Sequence, residues 1–385
     1  MQLLTRSAGR RTKARFATFA SLASVIAGCS ALTSFQGLAG EGANPTQNDA
    51  AAEGASFTDG ASTIDSSTNT DSGTNIDAGP SIPTSCMGGG NGASATCGAM
   101  KNDDCCAILV VAGGTYFRSN EKGYPATVSS FYLDRFETTN GRFRKFVNGG
   151  FGTTASPPAA GSGAHPKITG SGWDSAWNSK LPSSTSDLVT RLHCGNSHWT
   201  DKADAYESYS ASCLDWYTAF AFCAWDGGRL PTEAEWNYAA AGGSEQRNYP
   251  WTPPNQDPNV IDPSYATYGC YGHGGTPAYD EAGAPICSYD DIVPPGMHSP
   301  KGDGKWGHAD LAGNMWEWTL DAYVSPYAST NCVDCANIGF MANANRVYRG
   351  GDYDTDKSSL VTAYRADDPA TTYQDDIGIR CARDP

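Results

Sequence analysis

Positive charge is scarce in this chain. Across 385 residues, 26 Lys and Arg face 41 Asp and Glu, a net charge of −15. That balance leaves no basic face for a phosphate backbone and argues against nucleic acid as a partner. Long apolar runs are absent after residue 28, so no later segment is long enough to cross a bilayer as a helix. Residues 30–85 have no Lys or Arg and only two aromatics, Phe35 and Phe57. Such a stretch cannot bury enough apolar surface to offset its ordering entropy. Paired metal-binding histidines are also missing: His165, His193, His198, His273, His298 and His308 are scattered, with no pair at ligand spacing. No Gly-rich phosphate loop and no nucleophile triad context is visible. Charged residues of both signs make up only 17%, whereas aromatics reach 11% alongside 44 Gly and 22 Pro. That mixture excludes a helical bundle and points to a loop-rich domain anchored by Trp and Tyr.

What is present begins with a leader. Arg6, Arg10, Arg11, Lys13 and Arg15 precede a short apolar stretch, Phe16 to Ala27, that ends in small residues. This predicts a signal peptide over residues 1–28. Ile26-Ala27-Gly28-Cys29 resembles a bacterial lipobox, so Cys29 is expected to be acylated and to tie the chain to a membrane. Without the leader, 21 basic residues face 41 acidic ones, a net charge of −20. Ser30, rather than Asp, follows Cys29, which in a diderm bacterium places the anchor in the outer membrane of the cell envelope. Residues 29–85, with seven acidic residues, read as a disordered stalk. A flexible coil of that length spans about 40–45 Å.

The 13 cysteines are an odd number. With Cys29 acylated, the remainder allow six disulfides, as suits an exported chain. Cys86, Cys97, Cys105 and Cys106 form a Cys-rich lead-in over residues 86–106 that is expected to staple the chain start onto the core. Adjacent Cys105-Cys106 fits poorly with zinc-ligand spacing. Cys270 and Cys287 are a natural pair within a long irregular stretch.

Residues 107–385 read as one globular domain. Ile108–Val111 and Val128–Leu133 are apolar runs that predict strands. Asn140 is placed to cap a helix presenting Phe143, Phe146 and Val147. Residues 149–172 read as a surface loop. Cys213 to Trp225 has helical spacing of Trp216, Phe220 and Cys223, and Gly227-Gly228 ends it. Thr232-Glu233-Ala234-Glu235 is a capping box opening a further helix. Residues 244–306 are Gly-, Pro- and Tyr-rich and irregular, which for a loop of this length points to function or to internal ties.

Several segments recur in a fixed order. Phe131-Tyr132-Leu133-Asp134-Arg135-Phe136-Glu137-Thr138-Thr139-Asn140 is followed by Trp216 to Trp225. Gly228-Arg229-Leu230-Pro231-Thr232-Glu233-Ala234-Glu235-Trp236 comes next, and then Tyr249-Pro250-Trp251. Asp310-Leu311-Ala312-Gly313-Asn314-Met315-Trp316-Glu317-Trp318, Arg346-Val347-Tyr348-Arg349-Gly350-Gly351 and Gly378-Ile379-Arg380-Cys381 complete the set. Over residues 107–385 this resembles the sulfatase-modifying-factor domain of the formylglycine-generating enzymes. The resemblance implies an α+β, C-type-lectin-like fold with little regular secondary structure. It implies a bridge between Cys223 and Cys381. It also implies a structural calcium ion at the GN-x-WEW turn, held by the carboxylates of Asp310 and Glu317 and the carbonyls of Gly313 and Met315, all hard oxygen donors. The other reading of those carboxylates is that they only brace the turn.

The family's oxidative chemistry uses Cu(I) held by two thiolates, which softness requires. Those positions fall here on Thr355 and Leu360, and the Ser of the family's RGG-S motif is Asp352. Cys332 and Cys335 lie before the motif and are three apart, so they are expected to pair locally or with other cysteines. Copper is therefore not expected and no catalytic residue is assigned. The fold places the stretch from Asp352 to Asp376 along the substrate groove. Its residues suit a peptide, protein or glycan ligand near Asp352, Tyr353, Thr355, Leu360, Tyr364, Arg365, Tyr373 and Arg380. A solvated acidic surface is the plainer alternative. The sequence thus reads as a membrane-anchored binding domain, with an oxidase of non-standard metal or thiol arrangement as the competing reading.

Overall fold

Strand and helix boundaries in the domain follow side-chain chemistry closely. The computed structural model describes residues 80–272, 277–280, 285–339 and 344–385. The leader, Cys29, the stalk up to residue 79 and His273 lie outside the described residues.

The lead-in forms a small hairpin, β1 (Ala95–Cys97) with β2 (Asp103–Asp104). Its cysteines bond to one another, Cys86 to Cys106 and Cys97 to Cys105. The bridges are local to the lead-in; hydrogen bonds and the packing of Cys97 and Cys105 with Phe136 and Ala309 attach it to the core. Ser85 N donates to Asp226 Oδ1 at 2.7 Å, and Ser85 Oγ accepts from Arg142 Nε at 2.9 Å. β3 (Ile108–Val111), β4 (Gly114–Phe117), β5 (Pro125–Val128) and β6 (Phe131–Asp134) follow. The single strand expected over Val128–Leu133 is two. Between them, Ser129 turns aside to give its N–H and hydroxyl to the Asp334 carboxylate, at 2.6 and 2.8 Å.

Helix α1 spans Asn140–Asn148. Its cap is Thr139, whose hydroxyl accepts from Arg142 N at 3.3 Å, while Asn140 is the first helical residue and its side-chain amide donates to Tyr206 O at 3.1 Å. α2 (Thr185–Leu192), capped by Ser184, was not read from the sequence. α3 runs Trp216–Trp225 and starts later than expected. Cys213 adopts φ 63° and bonds to Cys194, and Asp215 caps the helix through Thr218 N at 2.7 Å. α4 (Glu233–Ala240) opens with a complete capping box: Thr232 Oγ1 accepts from Glu235 N at 3.0 Å, and Glu235 Oε2 accepts from Thr232 N at 2.8 Å.

Among its described residues the long stretch after α4 carries a two-residue hairpin, β7 (Ala278–Tyr279) with β8 (Pro285–Ile286), and 3-10 turns at Gly243–Glu245 and Tyr289–Asp291. The chain then lays down β9 (Trp316–Ala322), β10 (Cys332–Val333), β11 (Asn345–Arg349), β12 (Ala366–Pro369), β13 (Ile377–Gly378) and β14 (Ala382–Arg383). Three sheets organise the domain: β12-β11-β9-β13, β14-β6-β3 and β10-β5-β4. Every residue of β9 is buried. β9 and the largely apolar α3 share one core with Trp173, Trp177, Trp216, Phe220 and Trp318. Cys223 on α3 is bonded to Cys381, closing a loop of 158 residues. Among the described residues no helix is long and apolar enough to cross a membrane.

Candidate functional site

The turn entering β9 gathers buried carboxylates. Asp310, Gly313 and Asn314 have φ of 53°, 86° and 65°. A Cβ on Gly313 would lie 2.2 Å from Thr267 O, so only glycine fits. Asn314 N donates to Thr267 O at 2.9 Å and Gly313 N to Gly350 O at 3.0 Å, which fastens the turn to the long loop and to Gly350-Gly351. Beneath it, Glu137 accepts from Asn314 Nδ2 at 2.6 Å, from Met315 N at 3.1 Å and from the Ser210 hydroxyl. Glu317 takes Arg380 in a fork at 2.7–3.0 Å and accepts from Trp236 Nε1 at 2.7 Å. Asp310 accepts from Gly296 N at 2.5 Å.

Burial, followed by repulsion from Asp310 and Glu317, holds the Glu137 carboxyl well above the usual range. Burial raises Asp310 to about 7. Glu137, Asp310 and Glu317 thus share one guanidinium, that of Arg380. Their oxygens are of the hard type that calcium takes, but the carboxylate oxygens of Glu137, Asp310 and Glu317 do not come close enough together to share one ion. Asp310 and the Gly313 and Met315 carbonyls stand on the turn itself, whereas both Glu317 oxygens are committed to Arg380 and Trp236. Glu137 was not singled out from the sequence. Its place in the Phe131–Asn140 segment was the signal that could have found it.

The segment after Gly350-Gly351 is built as a closed turn. Asp352 is buried, and its Oδ1 accepts from Asp354 N at 2.9 Å and Thr355 N at 2.6 Å. The Thr355 hydroxyl accepts from Asp352 N at 3.0 Å. Leu360 is buried against Gly351 and clusters with Tyr249, Trp251, Ala266 and Ala312. One position of the expected thiolate pair is therefore a turn cap and the other a core residue. The twelve cysteines of the described residues are all consumed in six disulfides. The donor set does not fit Cu(I).

Tyr353 is interior, giving its hydroxyl proton to Asp375 Oδ2 at 3.2 Å and accepting from Asn196 Nδ2 at 3.2 Å. Asp352 Oδ2 and Asp376 Oδ1 are buried without a hydrogen-bond partner among the described residues. Burial first, then the neighbouring Asp354, lifts Asp352 to about 6, and burial and Asp352 lift Asp376 further. The long loop seals this turn: Gly269 N donates to Thr355 O and Cys270 N to Tyr353 O, both at 2.8 Å, with Cys270 bonded to Cys287.

The remaining groove candidates separate. Tyr364 is half-buried beside Trp316, with ring centres 5.9 Å apart, and Trp316 stands edge-on to Tyr348 at 5.1 Å. Tyr348 donates to Asp368 Oδ2 at 3.0 Å, and Gln374 Nε2 donates to the same oxygen at 3.2 Å. Trp316 N, bonded to Asp376 O at 2.8 Å, joins this aromatic face to the Asp352 turn. Trp316, Tyr348 and Asp368 were missed because they lie on different strands and meet only through pairing of β9, β11 and β12. Tyr373 is exposed, with Arg191 5.6 Å from its ring centre. Arg365 instead faces Glu233, at 2.5 and 2.8 Å. Leu360 and Arg380 are corrections: apolar packing holds the first and the Glu317 fork holds the second in the interior, so neither forms a groove wall.

A second charge centre lies at α1. Arg142 bridges Asp134 at 2.9 Å and Asp226 at 2.6 Å, and Arg383 bonds both from the other side. Among the described residues, Asp134, Asp226 and Cys381 are the one grouping of metal-type ligand atoms close enough to share an ion. The two guanidiniums neutralise it, and the Cys381 sulfur is bonded to Cys223.

Residues 94–385 match the family described as sulfatase-modifying factor enzyme 1-like domain. The formylglycine-generating enzyme of Mus musculus is 27% identical over 275 residues, covering 67% of each chain. That of Streptomyces coelicolor is 29% identical over 285 residues, covering 68% of this chain and 84% of its own. The inactive C-alpha-formylglycine-generating enzyme 2 of Bos taurus is 27% identical over 262 residues, covering 66% of this chain and 78% of its own. Among solved structures, PvdO from Pseudomonas aeruginosa is 17% identical, with a TM-score of 0.48 over 72% of this chain and 94% of that one.

Proposed function

The chain belongs to the sulfatase-modifying factor domain family, and on that premise we propose that it is a binding domain from which the family's copper chemistry is absent. The observation that carries this reading is the fate of the two expected thiolate positions. Thr355 caps a turn through Asp352 and Leu360 fills a core, so the metal's soft ligands have no replacement there. The relatives include both formylglycine-generating enzymes and an inactive paralogue, so membership alone does not supply an activity.

The ligand is a peptide, protein or glycan that meets the partly exposed Tyr348 and Tyr364, which lie over the buried Trp316, and the exposed Tyr373. Aromatic area backed by the acceptors of Asp368 offers stacking and hydrogen bonding at low conformational cost. The six disulfides support an oxidising, extracytoplasmic setting. In this reading Cys29 carries the lipid anchor and the segment that follows it, up to the start of the domain, holds the domain away from the membrane. A calcium ion at Asp310, shared with the Gly313 and Met315 carbonyls, neutralises the buried carboxylates and steadies the turn.

Peptide and glycan arrays probed with the purified chain test the binding role. The expected result is a defined ligand whose affinity falls about tenfold or more in Tyr364→Ala, since aromatic anchors dominate such interfaces. Absence of binding across both arrays, or binding indifferent to Tyr364 and Tyr373 substitutions, would contradict it.

A further inference from the structure

One disulfide stands apart from the other five. Cys332 and Cys335 are separated by three positions, against 8, 17, 19, 20 and 158 for the rest. Stabilisation by a cross-link grows with the loop it closes, so this bridge contributes least to holding the chain together. Its two sulfurs also differ in access. Cys332, on β10, is buried, whereas Cys335 is half-buried and lines a cavity of ≈ 120 Å³ with Arg118, Glu233, Asp321, Tyr327 and Arg365.

That cavity has the groups thiol chemistry needs. Arg118 Nη1 approaches Cys335 Sγ at 3.9 Å, and its side chain is anchored by Ser329 O at 2.5 Å and by the Tyr327 ring, whose centre is 4.3 Å away. A guanidinium beside a sulfur favours the thiolate, which is the reactive form. Glu233 is already matched by Arg349 and Arg365. Asp321 has no cation of its own; it accepts from Glu233 N and Asn337 N, each at 2.7 Å. Burial, then repulsion from Glu233, brings its carboxyl to about 7, so it can take up or release a proton near neutrality.

We propose that Cys332–Cys335 is a redox-active disulfide that exchanges with dithiols of extracytoplasmic peptides, with Arg118 holding the Cys335 thiolate and Asp321 storing a proton. This goes beyond the binding reading and does not depend on it. A substrate thiolate attacks Cys335 Sγ. The Cys332–Cys335 bond breaks, and its electron pair leaves on Cys332, which takes the proton given up by that first substrate thiol. The second substrate thiolate then attacks the substrate sulfur of the mixed disulfide. Cys335 leaves as the thiolate beside Arg118, and the second proton goes to Asp321. The substrate dithiol is oxidised to a disulfide by two electrons, and the Cys332–Cys335 pair is reduced by the same two. A further disulfide of the oxidising compartment re-oxidises the pair by the reverse exchange.

The test uses the purified chain with copper and other metals chelated, so that its outcome is separate from any oxidase activity. Dithiothreitol titration, followed by alkylation and peptide mapping, is expected to reduce Cys332–Cys335 at about tenfold lower reductant than any other bridge. Reduced Cys335 is expected to alkylate about tenfold faster than Cys332 at neutral pH, an advantage that shrinks in Arg118→Gln. A dithiol peptide should gain one disulfide per chain with the native protein and none with the Cys332→Ala/Cys335→Ala double variant. Reduction of this pair only together with or after the other bridges would overturn the proposal. So would equal peptide oxidation by the double variant. The titration of the native chain decides the question even if a variant does not fold.

Discussion

Charge is buried in two opposite ways in this domain. Around α1 and the chain end, Asp134, Arg142, Asp226 and Arg383 close a square in which each carboxylate meets two guanidiniums. Glu235 is likewise forked by Arg229, which holds it down at about 2. Around the β9 turn and Gly350-Gly351 the balance is reversed. Glu137, Asp310, Asp352 and Asp376 are all raised, and Arg380 is the guanidinium that acts on Glu137 and Asp310. The first region is complete by itself and behaves as scaffold. The second is left short of positive charge, which is the condition a bound cation or a proton relieves.

The strongest way to break that contrast is to remove a cation from the scaffold. Arg142→Met leaves Asp134 and Asp226 buried with half their compensation and should cost about 3–5 kcal/mol in denaturant unfolding. A loss under 1 kcal/mol would mean that the square does not hold the fold. Next comes the cation-poor region. Chelation should lower stability by about 2–3 kcal/mol relative to calcium at a hundred times its dissociation constant. Asp310→Asn should abolish most of that difference, whereas Thr355→Val should not.

The two regions also predict pH responses of opposite sign. Asp310 and Asp321, raised to about 7, bind protons more tightly folded than unfolded, so their contribution falls as pH rises from about 4 to about 7. Glu235, lowered to about 2, contributes stability above the ordinary carboxyl range that is lost as pH drops below about 4.5. Metal-free protein should therefore be more stable at pH 5 than at pH 7.5, by roughly 1–4 kcal/mol, and calcium should narrow the gap. Urea unfolding at the two pH values, with and without calcium, would show it. The smallest effect belongs to the turn cap. Thr355→Val should cost about 1 kcal/mol or less, as loss of a single capping hydroxyl does, and leave ligand binding unchanged.

Much of the scaffold was legible because local chemistry and tertiary packing agree there. Thr232 and Glu235 announce α4 by themselves, and the Trp216, Phe220 and Cys223 spacing marks α3. What misled was competition for backbone groups. Thr139 rather than Asn140 caps α1, with the Asn140 side-chain amide spent on Tyr206 O, and Ser129 broke a strand to satisfy Asp334. The site was legible only in part, for a related reason. Asp352, Tyr353 and Thr355 are neighbours in sequence and form one turn. Trp316, Tyr348 and Asp368 meet through pairing of three strands, and nothing local announces that register. Leu360 and Arg380 sit at positions whose neighbours suggested a groove, but apolar packing and the Glu317 fork turn both inward.

The central claim is that the segment after Gly350-Gly351 no longer holds a copper centre. Its most direct test supplies the purified chain with Cu(I), oxygen and a cysteine-containing sulfatase-type peptide, and looks for formylglycine by mass spectrometry. The account predicts no conversion and no copper retained after gel filtration. Catalytic conversion with stoichiometric copper would contradict it, because thiolates would then have to come from cysteines that are joined in disulfides in this structure.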